Sequence, residues 1–150
     1  MTEDALHAAL VHTAFSARYV ELVRRGREGP AVRGLDMATA LAALPVTFKW
    51  FRREKFWRHS TQVGEETWHF HLSEVRGRIE PGLYVTQDDG GFIGGTYAKL
   101  TRRLVRESGE PPPFEGYPKV PVSDQASLEA VVCATHDLFT EVMNAIGEHR

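Results

Sequence analysis

Two histidines, His69 and His71, stand two residues apart in "ETWHFHLSEV". On a strand, residues i and i+2 point to the same side, so both imidazoles can reach one point in space. Imidazole suits zinc, nickel or iron, and such sites take at least three protein ligands. His59, closing "KFWRH", becomes the third if a tight loop around Val63 pairs Trp57 with His69. His59, His69 and His71 then share one face, with Glu66 or Glu74 nearby as base or further ligand of a small metal-dependent enzyme. A slip of one residue in that pairing sends His59 to the opposite face. The plain alternative is a strand whose wet face carries histidines, since H-x-H arises easily in a chain with seven of them.

A second chemistry is anion binding. In "GGFIGGTYAKL", Gly94 and Gly95 lead into a helix that starts at Thr96 and carries Lys99 on its first turn. Free amides at a helix start attract phosphate, and glycines let it approach. No Gly-Lys-Ser/Thr follows and no βαβ unit surrounds the stretch, so neither nucleotide-binding fingerprint is present. Two turns feeding a capped helix explain the same glycines. The third is "KWFRREKFWRH", where basic residues interleave with aromatic ones, as single-stranded nucleic acid requires. An amphipathic element with arginines on its wet face explains it equally, and the formal net charge of -2 argues against a polyanionic partner.

Nucleophilic catalysis has little footing. There is no Gly-x-Ser-x-Gly elbow, and the single cysteine, Cys133, falls on the apolar stripe of the last helix, where a small buried thiol is expected. His136 is near enough on the same helix for a Cys–His pair, but a helix interior does not lower a thiol pKa. The leading expectation is therefore a non-catalytic interaction protein of accessory, regulatory or toxin-neutralising type, binding through Trp57, Tyr84, Phe114 and Tyr117. Aromatic residues and arginine anchor protein interfaces. A protein partner or a homodimer would cover that surface, whereas nucleic acid is not expected.

The elements that must position these residues follow from periodicity. "EDALHAALVHTAFSARYVELVRR" predicts one helix, with an apolar stripe through Leu6, Ala9, Leu10, Thr13, Ala14, Ala17, Val20 and Val23, capped by Thr2. "GREGPAVRG" reads as a loop, and "LDMATALAALP" as a short helix capped by Asp36. "VTFKWFRREKFWRHS" reads as a strand with a turn at Arg52–Glu54. "ETWHFHLSEV" alternates with Trp68, Phe70 and Leu72 inward. "RIEPGLYVTQ" and "FIGG" follow as strands, joined by the Asp89-Gly90 hairpin signal. A helix from Thr96 turns Tyr97, Leu100, Leu104 and Val105 inward. "GEPPPFEGYPKVP" becomes an extended strap, and a long helix capped by Ser123 or Asp124 closes the chain.

Helices, then a meander, then helices predict a single α+β domain over residues 1–150. It is a four-stranded antiparallel sheet packed on N-terminal and C-terminal helices in two layers, with one sheet face left free. With 150 residues and 42% hydrophobic content, the chain can build such a core without disulfides. The lone cysteine, the absence of a long apolar run and an acidic N-terminus point to a cytoplasmic protein. Residues 1–58 hold ten Lys and Arg against six Asp and Glu, and the remainder eight against fourteen. The excess of cations sits in Arg24–Arg33 and Lys49–Arg58.

Overall fold

Alternation in β3 sets the architecture. The structure, a computed structural model, describes residues 1–26 and 34–148. In β3 (Glu66–Val75), Trp68, Phe70 and Leu72 are fully buried while His69, His71 and Ser73 face the other way. β3 lies between β2 (Phe56–Val63) and β4 (Arg78–Thr86); β1 (Lys49–Phe51) and β5 (Phe92–Thr96) complete an antiparallel meander in sequence order. A sixth, two-residue strand, β6 (Val120–Pro121), comes from the proline-rich strap and pairs with the start of β4. Among the described residues the sheet therefore has six strands instead of the four expected. One predicted strand divides at the Arg52–Lys55 turn, and the strap adds another.

Among the described residues, helices cover one face only. α5 (Gln125–Glu148) lies on β3 and β4 and packs against α1 (Glu3–His12) and α3 (Met37–Ala42). α2 (Phe15–Arg25) packs against α4 (Tyr97–Glu107). The predicted caps hold: the hydroxyls of Thr2 and Thr96 and the carboxylates of Asp36 and Asp124 each accept from a backbone amide three residues on. These bonds satisfy amides that the first helical turn leaves without partners. Inward Trp68, Phe70, Leu72, Ile79, Leu83 and Val85 meet Leu128, Val132, Leu138, Phe139 and Val142 of α5 in one core.

The first helix is two helices. Ala14 adopts φ 53°, and the Thr13 hydroxyl donates to the carbonyls of Ala9 and Leu10 at the break. The break rotates the buried face. Phe15 and Tyr19, absent from the predicted stripe, are fully buried, while Ala14 and Ala17 are exposed. Burying two large rings in place of two alanines outweighs one left-handed residue. The loop expected at "GREGPAVRG" falls mostly on residues 27–33, outside the described residues. No helix among the described residues is long and apolar enough to cross a membrane.

Candidate functional site: the open face of the sheet

The β2–β3 turn decides the fate of the histidines. Gly64, at φ 63°, turns the chain with Glu65, so that Val63 pairs with Glu66 and Trp57 with Leu72. The expected partner of Trp57 was His69; the true register is shifted by three residues, an odd number that inverts the face. His59 opposes Phe70, 6.2 Å from His136 and 6.5 Å from Phe139 between ring centroids, on the helical side. Its Nδ1 lies 3.1 Å from the Thr47 carbonyl. His69 and His71 stay together on the open face, 6.2 Å apart. His69 already has a hydroxyl on each nitrogen, Ser60 Oγ at 2.7 Å and Thr86 Oγ1 at 2.9 Å. Among the described residues, no three His, Cys, Asp or Glu side chains gather as a metal would require.

The other sequence candidates also separate. Gly94 and Gly95 are strand residues, paired with Tyr84 and Leu83, and the Thr96 hydroxyl caps Lys99. Neither glycine forms a loop around a helix start. Trp57 lies on the helical side, 4.9 Å from Trp50. Phe114 packs on the core edge near Tyr19, and Tyr117 is exposed beneath Lys99 and Arg102. Of the four expected interface aromatics, Tyr84 alone lies on the open face. Cys133 is exposed, not buried, because position 133 falls at the margin of the α5 stripe while His136 turns into the core. Slight desolvation against the helix, then Asp137 beside it, pushes the Cys133 thiol up, which makes it a poor nucleophile.

Pairing brings an unexpected feature together. Four rings cross four strands in a column: Phe51 of β1 stacks on Phe56 of β2 at 4.8 Å and 10°, and Phe56 stacks on His71 of β3 at 4.4 Å and 20°. His71 in turn meets Tyr84 of β4 at 4.6 Å. These spacings match the distance between strands, so Phe51, Phe56 and His71 stand on the sheet face to face, with Tyr84 tilted by 41° against His71. Gly82 makes room for the last one, since a Cβ there would lie 2.7 Å from the Tyr84 ring. The guanidinium of Arg58 and the ammonium of Lys49 sit over Phe51, at 4.3 and 5.0 Å from its centroid. A groove of about 270 Å³ opens along the column between Glu54, Phe56, His71, Glu80 and Tyr84.

Charge is divided along the strands. The β1–β2 and β3–β4 turns lie at one end, where Lys49, Arg52, Arg53, Lys55, Arg58, Arg76 and Arg78 outnumber Glu54, Glu74 and Glu80. The β2–β3 and β4–β5 turns lie at the other end, with Glu65, Asp88 and Asp89 and no lysine or arginine. The ring column starts at the basic end with Phe51 and Phe56 and runs diagonally through His71 to Tyr84, nearer the acidic turns.

The histidines of this face resist protonation. Burial, then the positive field of Arg58, then His69 pull His71 down to about 4, and burial followed by Arg58 lowers His69 as well. The unfolded imidazole titrates near 6.5, so below that pH the unfolded chain binds more protons than the folded one. Stability should therefore fall as pH drops from about 6.5 and level off below about 4. Discounted for partial exposure, the His71 share is about 1–2 kcal/mol. Urea unfolding of wild type and His71→Gln at pH 7 and pH 4 checks this. The variant should lose that part of the acid sensitivity; an unchanged slope would contradict the assignment.

The chain matches no family model, no curated protein and no solved structure, so its function is read from its own residues.

Proposed function

We propose that this is an interaction protein that binds an acidic polypeptide partner on the basic end of its open sheet face. The observation that carries the reading is the ring column Phe51–Phe56–His71–Tyr84 flanked by Lys49 and Arg58. Aromatic rings beside arginine are the composition of interface anchors. Base stacking needs an open ring face, and the faces of Phe51, Phe56 and His71 are already occupied, which favours polypeptide over single-stranded nucleic acid.

A second copy fits less well than a different partner. If two open faces pack with their strands antiparallel, the basic end meets the acidic end, but the rings meet the polar Ser60, Gln62 and Thr67. If they pack with the strands parallel, rings meet rings but cations meet cations. Neither arrangement satisfies both charge and apolar matching. A partner segment with carboxylates flanking one or two apolar side chains satisfies both.

A random peptide selection on the purified protein tests this. The enriched peptides should be acidic and apolar, and Phe56→Ala or Arg58→Glu should weaken them at least tenfold with little change in Tm. Peptides without acidic bias, or bound equally by both variants, would contradict the proposal.

A further inference from the structure

α4 places its cations on one stripe away from the open sheet face. Lys99, Arg102, Arg103 and Arg106 recur at three- and four-residue spacing, and the proline-rich strap returns across them. Together with Glu110 and Tyr117 of the strap they line a pocket of about 310 Å³. Like charges at this spacing repel and destabilise a helix. The four cations outnumber the one carboxylate of the pocket, Glu110, which forms no ion pair among the described residues, and the Glu107 carboxylate is turned to His7 at 2.8 Å. Arg102 has a structural task, since it donates to the Gly116 carbonyl at 2.9 Å and covers the Tyr117 ring at 5.1 Å. Lys99 shares that ring at 6.0 Å. The guanidinium groups of Arg103 and Arg106 have no hydrogen-bond or ion-pair partner among the described residues.

We infer that the pocket between α4 and the strap binds a small organic phosphate bearing two or more negative charges, held by Arg103, Arg106 and Lys99. The planar arginine fork matches phosphate oxygens, and several cations around one cavity suit a multiply charged group better than a single carboxylate. Tyr117 supplies a flat wall for the organic part. The volume lies at the lower end of the range for small-molecule sites. The anion chemistry suspected at Gly94–Thr96 thus reappears on the side of the same helix, with Lys99 as the residue common to both.

Calorimetry at low salt tests the inference, with ADP, inorganic pyrophosphate and a hexaglutamate peptide as probes. ADP and pyrophosphate should bind, both more weakly as salt rises. Arg103→Ala/Arg106→Ala should lose at least tenfold in affinity for each, while Tyr117→Ala should weaken ADP more than pyrophosphate. The double arginine variant should keep or raise Tm, because it relieves repulsion. The inference is overturned if neither phosphate binds, if the double variant binds as before, if that variant melts lower, or if hexaglutamate binds as tightly as ADP.

Discussion

Phe70→Ala is expected to cost roughly 3–5 kcal/mol, the range for deleting a fully buried aromatic ring. Phe70 is fully buried at the middle of the central strand. Its ring lies 5.4 Å from Phe139 and 5.5 Å from His136 on α5, 6.4 Å from Tyr97 on α4 and 6.0 Å from Phe48 ahead of β1. One side chain thus joins both helical neighbours to the sheet, and no single element can move in to fill the void. For a domain of this length the loss lowers Tm by roughly 6–20 °C. It also loosens the strand that holds His69 and His71 in register on the far side. Urea and thermal unfolding read the effect directly, and a loss below about 1 kcal/mol would mean that the core collapses around the site.

Gly94→Ala should be nearly as damaging, and Gly95→Ala close to silent. Gly94 has φ +112°, and a Cβ there would lie 2.1 Å from the Leu83 carbonyl oxygen. That oxygen belongs to β4 backbone, so relief requires moving one strand against another. The strained dihedral costs about 1–3 kcal/mol, and the clash adds to it. A Cβ on Gly95 would meet only the Lys99 Cβ at 3.9 Å, an ordinary contact. Gly95→Ala should shift stability by less than about 1 kcal/mol. The pair separates two explanations of one dipeptide. A phosphate-cradling turn would need both glycines, whereas a strand with one contorted residue needs only Gly94. Equal damage from both substitutions in thermal unfolding would contradict the strand account.

The caps and the β3 alternation were legible because they are local. Thr2, Asp36, Thr96 and Asp124 act within three residues of themselves, and Trp68, Phe70 and Leu72 declare a face by period alone. Asp89-Gly90 turned where it was expected, with Gly90 at φ 85°. Register was not local in this sense. It depended on whether the chain reversed at Val63 or at Gly64–Glu65, and that odd offset separated His59 from His69 and His71. Gly64 followed by two glutamates, with its freedom to adopt positive φ, was the signal for the right turn. The break at Thr13–Ala14 had no such marker, since neither residue ends a helix by itself; the burial of Phe15 and Tyr19 imposed it.

The ring column and the α4 pocket lay further from reach. Phe51 and Phe56 could be seen as neighbours across a turn. Their alignment with His71 and Tyr84 required three strand pairings to be right at once. The three- and four-residue spacing of the cations on α4 is a local pattern of the chain. Their enclosure is not, because it needs the strap to double back so that Tyr117 comes over Lys99 and Arg102.

The central claim is that a partner of acidic character docks on the open sheet face at Phe51, Phe56 and Arg58. The most direct measurement is photo-crosslinking in the native cell from a benzoylphenylalanine placed at Phe51, with Val11 on α1, 60% exposed, as the control on the helical side. Position 51 should capture an acidic polypeptide that position 11 does not, and the purified pair should lose at least tenfold in affinity with Arg58→Glu. Capture from position 11 alone, capture of a second copy or of RNA from position 51, or an affinity indifferent to Arg58→Glu would contradict it.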